Sequence, residues 1–141
     1  MAIKVKKLME DAVLPSKAHA DDAGWDLTAV RMELDPKRDI VTYGTGLAIE
    51  VPKGCVGLLF PRSSVYKHQL ALANCVGVLD HGYQGEVTFK FRVVRPHISR
   101  YGIGDRIGQL VVVRLEDAEV EEVDALDPSE RGEGGYGSSG G

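Results

Sequence analysis

At 141 residues, 43% of them hydrophobic and 27% charged, the chain has the size and balance of one globular domain able to bury a core. No run approaches the roughly 20 apolar residues of a membrane helix, and MAIKVKKLME carries charge with no apolar export segment behind it, so a cytoplasmic protein without a membrane partner is expected. The net charge of −4 hides a division: residues 116–130 hold eight acids and no Lys or Arg, leaving 13 acids against 17 bases in a body that suits an anionic substrate without demanding nucleic acid.

In chain order, alternating or apolar runs predict strands at 3–8, 24–29, 38–42, 46–51 and 55–60. A short helix follows at 63–69, with an N-terminal Ser to cap it. Further strands are predicted within 70–79, at 86–94, at 107–115 and at 118–123. The separators VPKG, HGYQG and YGIGD are rich in Gly, Pro and Asp, which supply turn geometry. Many short strands at this spacing read as an all-β sandwich or barrel. The acidic run 116–130 reads as a solvated edge and connector. RGEGGYGSSGG is too glycine-rich to pack alone, which divides the chain into a domain at 1–130 and a flexible arm at 131–141. Cys55 and Cys75 lie in apolar surroundings and are expected as buried free thiols; two thiols without further ligands cannot build a four-ligand zinc site. His19, His68, His81 and His97 show no metal-ligand spacing and read as surface or structural residues.

Five segments depart from ordinary β-protein sequence. In DDAGWDLTA, Asp26 alternates with Trp25 and Leu27, so on a strand it faces away from both. A lone carboxylate there could touch a hydrated magnesium ion, although for this segment alone a solvated Asp at a turn and strand start is the better account. In PRSSVY, Arg62, Ser63 and Ser64 at a helix start offer side-chain and backbone donors to an anion; a cap beside a surface Arg is the plainer alternative. NCVGVLDHGYQGEV puts Asp80 at the end of an apolar run and Tyr83 in a Gly-bounded turn. A carboxylate held there can orient and deprotonate water, with a ring beside it for a sugar or base. Gln109 interrupts the apolar strand of GDRIGQLVVV and must find partners within the core or on a neighbouring subunit. In RGEGGYGSSGG, successive Gly N–H groups, the Ser hydroxyls and Arg131 could form an anion nest, while composition alone describes a disordered tail.

Taken in order, AGWDL, PRSS, GVLDHGYQGEV, RIGQL and RGEGGYGSSG make the chain resemble the trimeric dUTPase family over about residues 3–141. The resemblance implies a jelly-roll-like homotrimer whose sites each draw on more than one subunit. It implies magnesium-dependent hydrolysis of dUTP to dUMP and pyrophosphate, by in-line attack of water on the α-phosphorus. That reaction limits uracil incorporation into DNA and supplies dUMP.

By position, the resemblance makes Asp80 the group that activates water, and it packs Tyr83 on the deoxyribose to exclude a 2′-hydroxyl. Asn74 and Val78 would belong to the uracil-binding hairpin. Ser63 would polarise the oxygen bridging the α- and β-phosphorus, with Arg62, Ser64 and Gln109 on the phosphates. Asp26 would contact Mg²⁺ through water. Arg131, Tyr136, Gly137, Ser138 and Ser139 would close from the arm, the ring over uracil and the rest at the γ-phosphate end. Against the family pattern, Tyr136 replaces Phe, Gly108 stands where Ala or Ser is commoner, Gly82 where an acid is frequent, and Trp25 is bulkier than usual.

Two other functions compete. The similar dCTP deaminases carry a catalytic Glu ten residues beyond the Asp, where this chain has Lys90, whose ammonium cannot shuttle that proton. A binding-only trimer would have no need of the water-activating Asp80.

Overall fold

A computed structural model describes residues 1–96 and 100–140. Among the described residues, nine strands form two antiparallel sheets: β1 (Lys4–Lys7), β2 (Trp25–Thr28), β3 (Arg31–Asp35), β4 (Ile40–Glu50), β5 (Cys55–Phe60), β6 (Leu70–Leu72), β7 (Gly77–Leu79), β8 (Glu86–Val93) and β9 (Arg106–Arg114). One sheet runs β1-β4-β8-β6, with β3 also on β4; the other runs β2-β9-β5-β7. This is the all-β, jelly-roll architecture expected, with one short 3₁₀ helix at Ser63–His68. No helix in the described residues is long and apolar enough to cross a membrane.

Alternation builds the core. Val87, Phe89 and Phe91 of β8 point inward, as do Cys55, Gly57 and Leu59 of β5, while their neighbours face out. They meet Tyr43, Leu47, Ile49, Leu27, Ile107 and Leu110 between the sheets. Burying each large side chain contributes about 1.5–3 kcal/mol. Tyr43 is fully enclosed, yet its hydroxyl donates to the Tyr101 carbonyl at 2.8 Å. Burial pushes its pKa up to about 12, so it remains a neutral donor.

Several elements differ from the sequence expectation. The runs at 38–42 and 46–51 are one strand, β4. They are joined through a bulge: Gly46 has φ +66°, and the buried Thr45 hydroxyl donates to the Val87 carbonyl at 2.7 Å. On one edge of β4 the first half pairs with β3 and the second with β1. β3 was not predicted; RMELD is polar, with Met32 and Leu34 exposed, as an edge strand allows. The 70–79 region splits into β6 and β7 around Cys75, whose φ is +60°. Cys75 is therefore exposed, and only Cys55 is a buried free thiol. The helix begins after Arg62 with no side-chain cap, so no Ser plays that part. Residues 118–123 form no strand, because Val120 and its acidic neighbours leave the body fully exposed and meet no sheet edge. Of the histidines, His97 lies outside the described residues.

Gly108, on central β9, is set by packing. A Cβ there would overlap the Phe89 ring and approach the Phe60 carbonyl oxygen to 2.9 Å. Gly108→Ala is expected to lower stability by about 1–3 kcal/mol, the usual cost of overpacking, read as a shift in the denaturant midpoint.

Candidate active site

Strand register creates the first half of the site. On β9, Gln109 stands opposite Asp26 of β2 on one side and Phe60 of β5 on the other. The chain leaves β5 through Pro61 and Arg62 into the 3₁₀ helix, which brings PRSS to the same corner. Asp26 lies between two guanidinium groups. Its Oδ2 accepts from Arg106 Nη1 at 3.0 Å, and its Oδ1 is 3.5 Å from Arg62 Nε. The Asp26 and Arg62 side chains are only 18% and 29% exposed, so their charges are partly shielded from water. Two cations against one carboxylate leave the corner net positive, as a polyphosphate requires. Gln109 Nε2 donates to the Pro61 carbonyl at 3.4 Å, tying β9 to the turn. Its side chain also fills the space a Cβ on Gly24 would occupy. Ser63 is exposed and Ser64 half-buried at the helix start. Beneath them Tyr101 is buried against His68, ring centroids 4.0 Å apart. Burial raises the Tyr101 pKa, while the nearby Arg62 charge and Ser64 act in the opposite direction.

The second half is the hairpin between β7 and β8. Gly77 and Leu79 are buried and Val78 faces out, so the strand ends with Asp80 exposed. The Tyr83 amide donates to the Asp80 carbonyl at 3.1 Å, closing the turn. The Tyr83 hydroxyl donates to the Glu86 carbonyl at 3.0 Å, and its ring lies where a Cβ on Gly85 would fall, so a side chain there would displace the ring. Glu86 anchors the hairpin base: Oε2 meets Arg31 Nη2 at 2.5 Å, and Oε1 accepts from the Gly46 amide at 2.9 Å in the β4 bulge. Asn74 is exposed in the tight turn between β6 and β7, its carbonyl accepting from the Val76 amide at 2.6 Å. Lys90, on β8, pairs with Thr42 of β4 in the same sheet and is exposed.

The two halves do not meet within one chain. Leu79 pairs with Gly57, whereas Gln109 pairs with Phe60. Asp80 therefore lies some four β5 residues from the Arg62 corner, roughly 13 Å at ~3.3 Å per residue. The arm stands apart as well. Its recorded hydrogen bonds are internal, including Arg131 Nε to the Gly134 carbonyl at 2.7 Å, Ser138 N to Gly135 O and Gly140 N to Gly137 O. Glu130, Arg131, Gly134, Ser138 and Ser139 line an open cleft of about 400 Å³, and Tyr136 is fully exposed. Arg106 is a site residue that sequence reading missed. It lies three positions before Gln109, which on a regular strand is the opposite face. The register shift beside Leu27 and Thr28 turns it toward Asp26.

Among the described residues, no three His, Cys, Asp or Glu side chains converge to hold a metal ion. Asp26 stands as a single carboxylate facing a cationic corner. Such a donor set fits Mg²⁺, which keeps several of its waters and binds through one or two carboxylates together with substrate phosphates.

The dUTPase family model matches residues 10–140. A deoxyuridine 5′-triphosphate nucleotidohydrolase of Rhodococcus erythropolis is 43% identical, over 100% of this chain and 87% of its own. One of Corynebacterium glutamicum is 41% identical over 99% and 95%. Among solved structures, a variant dUTPase of Staphylococcus bacteriophage 80alpha with dUpNHpp superposes with a TM-score of 0.86 at 29% identity, covering 99% and 98%. A variant dUTPase from phage phi11 of S. aureus, described for the coordination of a structural Mg(II) ion, gives 0.75 at 27% identity, covering 89% and 99%.

Proposed function

The chain belongs to the dUTPase family, and from that premise we propose how its own residues hydrolyse dUTP to dUMP and pyrophosphate. The observation that carries the reading is the division of the site: a cationic corner at Arg62, Asp26 and Gln109, and a carboxylate hairpin at Asp80. Each is half of a phosphoryl-transfer centre, and a homotrimer would set one chain's corner against a neighbour's hairpin. The exposed, apolar-dotted connector around Val120 and Leu126 suits a protomer that also reaches outward.

In the assembled site, Asp80 accepts a proton from a water aligned on the α-phosphorus. The water oxygen bonds to phosphorus as the bond to the bridging oxygen breaks, and pyrophosphate leaves. Ser63 donates to that bridging oxygen. Arg62, Ser64 and Gln109 hold the phosphates, whose positioning and neutralisation are the main demands of this chemistry. Asp26 would hold Mg²⁺ through water, and the ion would supply neutralisation of phosphate charge. Tyr83 covers the deoxyribose where a 2′-hydroxyl would clash, and Asn74 and Val78 read uracil with the hairpin backbone. We assign residues 1–130 to the β domain and 131–141 to a lid. From the lid, Arg131, Gly137, Ser138 and Ser139 reach the γ-phosphate end, while Tyr136 stacks on the base. Free thiols at Cys55 and Cys75 suit a cytoplasmic enzyme.

The direct test supplies dUTP, UTP, dTTP and dCTP separately with Mg²⁺ and assays pyrophosphate. Release from dUTP alone, lost on chelation, is expected. Equal release from UTP would remove the sugar-reading role of Tyr83, and none from any nucleotide would leave a binding-only trimer.

A further inference from the structure

The hairpin that carries Asp80 outruns its sheet. The β5–β7 ladder ends at the Leu79–Gly57 pair, and Asp80, His81, Gly82, Tyr83 and Gln84 are all exposed. Two of the contacts recorded for Asp80–Gln84 stay inside the loop or at its base: Tyr83 N to Asp80 O, and Tyr83 hydroxyl to Glu86 O. A third crosses to a distant part of the chain. His81 Nδ1 lies 2.5 Å from the carbonyl oxygen of Val51, the buried residue immediately after β4. A carbonyl can only accept, so Nδ1 carries the hydrogen in that bond.

We propose that His81 is a positioning residue: its bond to Val51 holds the hairpin at the register that aims the neighbouring Asp80 carboxylate at the attacking water. The anchor is held by the body of the sheet, because Val51 is fully buried and follows directly on Glu50, which is paired with Lys4 in the β1–β4 ladder. Glu50 is held below the ordinary carboxylate range chiefly by Lys4, and His81 acts in the same direction, consistent with the imidazole facing that end of β4. A group one residue from a base needs little leverage, since misplacing a reacting group by about 1 Å can cost 10²-fold.

The inference rests on Asp80 being the base, and three variants separate the two ideas. His81→Ala is expected to lower kcat for dUTP roughly 10- to 100-fold with KM within about twofold, at temperatures well below its Tm. His81→Asn, whose amide nitrogen also sits one bond from Cγ and can donate to Val51, is expected to recover most of that loss. A purely structural role would lower Tm without this split or this rescue. If His81→Ala keeps its kcat, or His81→Asn is no better than His81→Ala, the clamp is overturned. Asp80→Asn, assayed in parallel, separates the failures. If it stays active, the base is misassigned and the clamp has nothing to aim; if it is inactive while His81→Ala turns over normally, the clamp alone fails.

Discussion

Asp80→Asn should bind dUTP about as well as the parent and turn it over at least ~10²-fold more slowly, the scale of a lost general base. The amide keeps the shape of the carboxylate but cannot take the proton from water at neutral pH. The exchange should leave the hairpin in place, because the tie that Asp80 provides to Tyr83 is through its backbone carbonyl. The neighbouring bond from His81 to Val51 is likewise untouched. Steady-state pyrophosphate release, with titration of a non-hydrolysable dUTP analogue, separates kcat from affinity. Turnover near the parent value would return Asp80 to an ordinary turn residue and move the base elsewhere.

Deleting residues 131–141 should leave assembly and melting temperature unchanged while lowering turnover at least ~10³-fold, as removal of an arginine from a phosphoryl-transfer site does. The physical reason lies in the contacts. The hydrogen bonds recorded for residues 131–140 run within 129–140, and Tyr136 stands free in solvent. The β domain thus loses none of these hydrogen bonds when the arm goes, while the proposed site would lose Arg131, the Gly-lined donors and the aromatic cover together. Light scattering and a thermal melt read assembly and stability, and the pyrophosphate assay reads the lid. A truncated chain that is monomeric would make the arm an assembly element, and one that is fully active would make it a tail.

The strands legible in the sequence are those whose alternation faces a core on one side. β5, β8 and β9 fall within a residue of their expected bounds, because EVTFKFRV alternates and CVGLLF and IGQLVVV are short apolar runs between turn residues. β3 was invisible because an edge strand with exposed Met32 and Leu34 presents no buried face to read. β4 read as two strands because the bulge between Gly44 and Ala48 interrupts its alternation. The expected strand at 118–123 failed for a different reason: its alternation is real, but a strand also needs an edge to pair with. In the site, Asp26 and Gln109 could be picked out singly as polar residues on apolar strands. Their adjacency comes from a β2–β9 pairing that spans 83 positions and leaves no local trace. Arg106 lay beyond reach altogether, since only the bulge turns it to Asp26.

The contact between Phe89 and the bare α-carbon of Gly108 has an evolutionary consequence. The two residues share one parcel of volume across the sandwich, and neither can grow while the other keeps its size. Substitutions there should therefore travel as a pair, with a side chain entering at 108 as the ring at 89 shrinks. A lineage carrying Phe89 is held to Gly108 until both positions move, so this piece of the interior drifts by coordinated steps while the surface strands around it change one residue at a time.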